Sequence, residues 1–492
     1  MNKIIAFVII ALFIFNTKIA GQTTWQYFLD DTTDLSISDA YELNNGNIYF
    51  VGKSGIYDND HYIGIILKIN KNGTLIDSCL LSDSDTSIII SNILPDNNND
   101  SSFILNASYQ LNTQSVTHSG CKLLRIDTTL TVIQNKQYNF PSTYIITNSV
   151  MERGINDNVL VAGTIKIPPF GKHMYIYSFS MDFDSIKARF ITEATIILDQ
   201  LKQLKDSSFW VMDGTIPYYV HIDSDMKIIS YLESGIPYHI TNNKSTKWDT
   251  DTSFYLAGSY TALSKRKTDP YIGFAKQYNI FDSTGAIFNK WGAVDTLDYP
   301  AFFGALDYKN KDSIFIGGSK NLLYGNILFA NIPSWYVLLQ TDSMLNIRWE
   351  HFYGGDAYYN MTKLIATDDG GCIMAGTRFD YKAHPWVNER DIYIVKVNAE
   401  GLLTGTSKHE NKFVHDAIVY PNPGSNALQV RVATQHPRSV FRLYDINGKL
   451  VMEHGINGKT ARFNTTFLKA GTYVYSITGK NGLNESGKWV KQ

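Results

Sequence analysis

The chain has 492 residues, 44% of them hydrophobic and 18% charged, with a net charge of -2. This is the composition of an ordinary folded protein able to bury a large core. The near-neutral balance gives no electrostatic case for nucleic-acid binding, which wants a basic stripe.

The first 21 residues read as a signal peptide. Lys3 supplies the positive start, and Ile4 to Phe15 form an apolar run too short to span a bilayer comfortably. Cleavage is expected before Gln22, although Ile19 departs from the small residue favoured at that distance from the cut. No Cys follows directly, so no lipoprotein anchor is expected, and no later stretch reads as a transmembrane segment. Three cysteines, Cys79, Cys121 and Cys372, sit inside strand-like runs and are expected as buried thiols, with a Cys79–Cys121 bridge as the alternative.

From there a short phrase recurs seven times: a polar turn, four or five strand residues, Gly or Ala, then usually Ser or Thr. Its clearest copy is Asp369-Gly370-Gly371-Cys372-Ile373-Met374-Ala375-Gly376-Thr377, and the others begin at Ile48, Phe103, Val159, Phe209, Phe254 and Ile314. Each copy leads through a variable loop to a second alternating run, such as Ile65 to Asn70 or Tyr393 to Asn398, then a turn and a third run. A weaker run precedes each phrase. Four strands per unit, repeating every 45–60 residues or so, predict propeller blades rather than a sandwich. The fourth unit fits least well, because Asp213-Gly214 displaces its Gly by one position. The abundant aromatics, 31 Tyr, 26 Phe and 8 Trp, suit strands. Trp25-Gln26-Tyr27-Phe28 resembles Trp349-Glu350-His351-Phe352, while the seventh unit lacks a last strand. Residues near 24–29 are therefore expected to complete the seventh unit and latch the ring. The overall pattern resembles secreted propeller-type repeats of bacteria, which implies an architecture and no activity.

Past Gly405 the texture changes. Residues 406–412 read as a polar linker and 413–492 as a small β-sandwich of short strands joined by Asn-Gly and Ala-Gly turns. Its landmarks are Tyr420-Pro421-Asn422-Pro423, Leu443-Tyr444-Asp445-Ile446-Asn447-Gly448-Lys449, Leu468-Lys469-Ala470-Gly471-Thr472-Tyr473, and a terminal run containing Lys488. These resemble the C-terminal sorting domain of the type IX (Por) secretion system of Bacteroidota. The resemblance implies passage through the periplasm, a partnership with the type IX machinery, and a secreted or outer-membrane surface-attached product. The expected fold is all-β: a seven-bladed β-propeller over 22–405 followed by the sandwich.

Chemistry is harder to read. In four-stranded units, the loop after the second strand and the loop into the next unit share one face. That face is expected to carry Tyr109, Tyr260, Tyr358, Tyr359 and the candidate ligand-binding residues His61, His118, His173, Arg378, Tyr381, His384, Trp386 and Arg390. Aromatic rings stack on sugars or anchor protein contacts, and Arg offers forked hydrogen bonds. No nucleophile elbow, zinc-protease helix, phosphate loop or recurring Asp-box is present, so no catalytic residue is assigned. Asp96 to Asp100 and Asp249 to Asp251 lack the spacing of a calcium loop and read as turns, so no metal or cofactor is expected. The reading is a binding module for a glycan or surface protein. Its alternatives are a polysaccharide-acting hydrolase or lyase with a site in the central cleft, and a structural surface component.

Overall fold

A computed structural model describes residues 23–29, 33–55, 62–81, 86–96, 101–112, 117–141, 144–167, 171–192, 196–213, 218–233, 240–261, 270–282, 284–293, 296–323, 326–383, 389–403, 417–420, 426–432, 439–458, 460–479 and 484–491. The expected signal peptide lies outside them. Among the described residues the regular elements are all strands, and no helix is long and apolar enough to cross a membrane.

The strands before residue 404 form seven antiparallel sheets. Their first strands are Asp34–Glu42, Thr86–Pro95, Ile145–Arg153, Leu198–Gln203, Ile240–Trp248, a split strand Leu297–Pro300 with Leu306–Asn310, and Tyr358–Ala366. In the first six sheets the strands follow in chain order. The seventh has three strands from its own stretch, and Trp25–Leu29 pairs antiparallel with Asp391–Val397 as its fourth. Residues near 24–29 thus supply the missing last strand of the seventh unit, as expected from the sequence.

One turn recurs after the third strand. Its first residue is Asn70, Asp127, Ser180, Asp223, Asp342 or Asn398, whose side-chain oxygen accepts the backbone N–H four residues on at 2.7–3.0 Å. The fifth sheet uses Asp282 inside a longer turn. Short polar side chains cap turns in this way at little entropic cost. The fourth turn residue is left-handed. Gly73 and Gly401 suit that geometry, but Leu130, Phe183, Met226 and Leu345 adopt it too, at φ of 61–64°. For a bulky residue this conformation costs ~1–2 kcal/mol. All four side chains are buried, and burying such a side chain returns about 1.5–3 kcal/mol.

The repeated glycine has a steric cause. Each first strand carries a bulge, for example between Ile37 and Asp39, Ile146 and Asn148, or Met361 and Lys363. The bulge pushes a carbonyl toward the second strand. A Cβ on Gly52, Gly163, Gly318 or Gly376 would sit 1.9–2.3 Å from the carbonyl oxygen of Ser36, Asn148, Tyr299 or Asn360. The phrase and the bulge are two sides of one feature.

Each sheet packs its faces on the next through a shared apolar cluster. First strands also touch in succession, from the first sheet to the seventh, and Tyr358–Ala366 of the seventh touches Asp34–Glu42 of the first. Side chains following the bulges stitch this inner row. Asp39 accepts from the Ile93 N–H, Asn148 donates to the Leu198 carbonyl, Asp307 accepts from the Ala366 N–H, and Lys363 pairs with Asp39 at 2.7 Å.

The first and seventh sheets share Leu35, Ile37, Phe50, Ile373, Ile394 and Trp25 in one cluster. Asp34 and Arg390 form a two-pronged ion pair there, both contacts 2.6 Å, with side chains 1% and 6% exposed. Trp25 donates its ring N–H to the Lys71 carbonyl and covers the Gly73 turn so closely that a Cβ there would meet the indole at 2.5 Å.

Residues 417–491 form two further sheets, one of three strands and one of four, around Leu428, Val430, Phe441, Leu443, Ile477 and Trp489. This is the small sandwich expected from the turn spacing.

Candidate binding surface

Because consecutive strands are antiparallel, the connection after a second strand and the connection to the next sheet leave from one edge. The capped turns described above occupy the opposite edge. The longer connections include 323–334 and 380–390, whose described parts build the best-defined surface.

Arg378 is its centre. It lies near the end of Cys372–Phe379, and its guanidinium reaches Asp380 at 2.9 Å, Asp356 at 3.3 Å and the Tyr359 hydroxyl at 3.2 Å. Tyr359 donates to Asp356 at 2.5 Å, and the Phe28 ring of the latch strand lies 5.3 Å from the guanidinium. Burial works against the Arg378 charge, but Tyr359, Asp356 and Asp380 outweigh it and hold the cation firmly. Burial likewise opposes the Asp380 charge, and Arg378 reverses this, keeping its carboxyl below the usual range. Lys382 donates to the Asp356 carbonyl and lies over the Tyr381 ring. Burial lowers its pKa. Tyr381 packs on a cluster holding Leu297, Phe329, Tyr358 and Phe379. The result is a rigid patch in which Asp356 is 44% exposed beside a half-exposed ring. Such a patch offers hydrogen-bond acceptors and an aromatic face to a polar ligand.

Arg378 and Tyr381 are the two expected site residues that the described structure brings together. Arg390 points elsewhere: its guanidinium is taken up by buried Asp34, so it joins sheets rather than facing a ligand. His173 is buried within Gly171–Phe179 of the third sheet. His118 lies in Thr117–Asp127 opposite Leu111, its side chain outside the described set. His61, His384 and Trp386 lie outside the described residues. Tyr109, Tyr260, Tyr358 and Tyr359, expected in loops, belong to strands instead. Asp356 and Asp380 were missed, since a lone Asp in a loop carries no signal until its cation is placed beside it.

Two carboxyls elsewhere are raised furthest, toward neutrality. Asp298 is fully buried; it accepts from the Ala293 and Asn321 N–H groups and the Thr296 hydroxyl, tying the connection before Leu297–Pro300 to the end of Ser313–Leu322. Burial pushes its pKa up to about 6. Glu152, on the first strand of the third sheet, is pushed up to about 7 by burial, partly countered by Lys202 of the next sheet. The cysteines are free thiols, and burial pushes Cys121 up to about 12. Among the described residues no cluster of His, Cys, Asp or Glu is placed to hold a metal.

In the C-terminal sandwich, Gly448 closes the turn between Ser439–Tyr444 and Leu450–Ile456 at φ +80, and Gly471 opens Gly471–Thr478 at φ +153. Lys488 pairs with Val474, and Tyr420 pairs with Gln429, while Pro421, Asn422 and Pro423 lie outside the described residues. Residues 418–492 match the secretion system C-terminal sorting domain. The chain carries the tail of a type IX secretion cargo. That tail implies export to the cell surface or the extracellular space.

No curated protein matches the sequence. Among solved structures, a catalytically inactive virginiamycin B lyase from Staphylococcus aureus is similar at 10% identity and a TM-score of 0.44, over 76% of this chain and 99% of that one. YCF48 from Cyanidioschyzon merolae is similar at 7% identity and 0.41, over 77% and 99%. PorZ, a surface component of the type-IX secretion system of Porphyromonas gingivalis, is similar at 8% identity and 0.27, over 93% and 81%. Likeness at this level says nothing of what this chain binds or does.

Proposed function

We propose that this protein is a type IX cargo whose residues 22–405 form a closed seven-bladed propeller. In this reading the propeller is a surface or secreted binding module that engages a glycan or protein through its long-connection face. Residues 1–21 act as the signal peptide. The observation that carries the ring is the unbroken succession of first-strand contacts, returning from the seventh sheet to the first through Asp34–Arg390 and Lys363–Asp39. Binding at the long-connection face is supported by the rigid Arg378, Asp356 and Tyr381 patch, since loops held on a stiff scaffold are where recognition concentrates.

The test is binding of the purified protein to a broad glycan array. A specific hit lost in Tyr381→Ala and Asp356→Ala supports the reading and names the ligand. Binding unchanged by both variants moves the site off this face, and absence of any hit removes the glycan and leaves a protein partner.

A second reading, a polysaccharide-acting hydrolase or lyase, draws on Glu152. A carboxyl with a pKa pushed up to about 7 is suited to proton transfer near neutrality. Release of reducing or unsaturated ends from a polysaccharide panel, abolished by Glu152→Gln, would favour it.

A further inference from the structure

The four-stranded sheet of the C-terminal sandwich has one face on the core and one open. Leu450, Tyr444, Val474 and Lys488 form a single row across its open face, paired strand to strand. Leu450 is 45% exposed and Val474 39%, and Ile446, at the tip of the adjoining turn, is 76% exposed. The next row along the same face is polar, with Arg442 bonded to Glu453 and followed by Ser476 and Ser486. The most exposed apolar side chains of this face therefore lie at one end of the sheet, with only half-buried Val440 beyond the polar row.

That end also gathers residues the sequence keeps apart. The turn Asp445 to Lys449 precedes Leu450, Gly471 pairs with Lys491, and Tyr444 pairs with Val474. Gly448, Gly471 and Lys488, singled out as sorting-domain landmarks, thus lie around one apolar patch. Both glycines are accounted for by their positive φ rather than by crowding, since a Cβ on either would meet nothing within 4 Å. Lys449, Lys469 and Lys488 lie around the patch, whereas Lys491 is buried on the core side beside Trp489. The nearby Asp445 carboxylate is occupied by the Asn447 and Lys449 N–H groups of its own turn.

We propose that this end of the sandwich, centred on Ile446, Leu450 and Val474, is the surface by which the type IX machinery recognises the tail. The partner it fits is a protein with an apolar patch edged by carboxylates, matching the apolar centre and lysine rim. Exposed aliphatic side chains at the centre of an interface with charges at its edge are the usual arrangement of a recognition patch. This inference rests on the export reading.

The experiment follows the full-length protein in a bacterium with a working type IX system, comparing culture medium and cell surface with periplasm. The set is wild type, Ile446→Asp, Val474→Asp, Ser476→Asp at the polar end, and a deletion of 418–492. Export should fall by about tenfold or more in the first two, the loss expected of a hot-spot side chain, and stay unchanged in Ser476→Asp. Thermal unfolding of each purified variant guards against a folding defect. If Val474→Asp destabilises the sandwich, Ile446→Asp decides alone, since that side chain lies largely in water. Wild-type export of Ile446→Asp beside a retained deletion overturns the surface and leaves the export reading standing. Export of the deletion overturns the export reading itself. Binding of the purified protein to phosphatidylglycerol vesicles, lost in Ile446→Asp, would overturn the protein partner in favour of an anionic membrane.

Discussion

Replacing Arg390 by Met removes the cation from the pair that joins the first and seventh sheets, 356 residues apart in sequence. The perturbation is severe because Asp34 is left behind as a carboxylate with 1% of its side chain exposed. Breaking a buried pair from one side costs about 3–5 kcal/mol, whereas replacing both partners by packed apolar groups is often neutral or favourable. Unfolding entropy of ~2.1 cal/mol/K per residue over roughly 380 residues makes the Tm fall about 4–6 °C. Asp34→Leu with Arg390→Met should recover most of that loss. The assay is thermal unfolding of the four proteins of the cycle at neutral pH, in low and high salt. The loss should barely depend on salt, since the pair is shielded from counterions. A Tm for Arg390→Met within a degree of wild type, or a double variant as weak as the worse single one, would refute a stabilising buried pair between the first and seventh sheets.

Other consequences follow from the same packing. Trp25→Ala removes the indole that covers the Gly73 turn and should cost about 3–5 kcal/mol, read as a lower denaturation midpoint; Gly73→Ala should also destabilise, because it adds a Cβ 2.5 Å from that ring at φ +84. Left-handed residues should divide by burial. Leu345→Gly relieves ~1–2 kcal/mol of backbone strain but empties a buried site worth ~3–5 kcal/mol, so it should destabilise. Ser207→Gly, at φ 68 in a more open turn, should stabilise by about 0.5–1 kcal/mol. For Glu152 the folded pKa is raised, so folding favours the protonated form. Its contribution is full below about pH 4 and is lost as pH rises through about 7. Glu152→Gln should therefore match wild type at pH 4 and exceed it at pH 8 by about 1–2 kcal/mol, because the side chain keeps some solvent. Equal pH profiles would place Glu152 in water.

Much of this architecture was legible because its causes are local. An Asn or Asp at the head of a turn, and a Gly opposite a bulge, leave the same mark each time the unit recurs. Trp25 was recognisable because its stretch resembles an outer strand. The fourth unit's displaced Gly was readable as an irregularity: the bulge there sets Leu198 opposite Asp213, the last residue of the second strand, and Gly214 lies outside the described residues. The sixth first strand gave no warning of its split around 301–305. The site was less legible. Tyr358 and Tyr359 look alike whether a loop or a strand holds them, and their burial follows from neighbours in other sheets. Arg390 carries the same residue type as a ligand-facing arginine, and only its distant partner Asp34 distinguishes the two roles. A pairing across almost the whole chain leaves no trace in one sequence.

The most direct test of the export claim compares the full-length protein in a type IX-competent bacterium and in the same strain with the translocation machinery disrupted. The account predicts protein at the cell surface or in the medium of the first, and retention in the periplasm of the second. Equal delivery in both strains would contradict it.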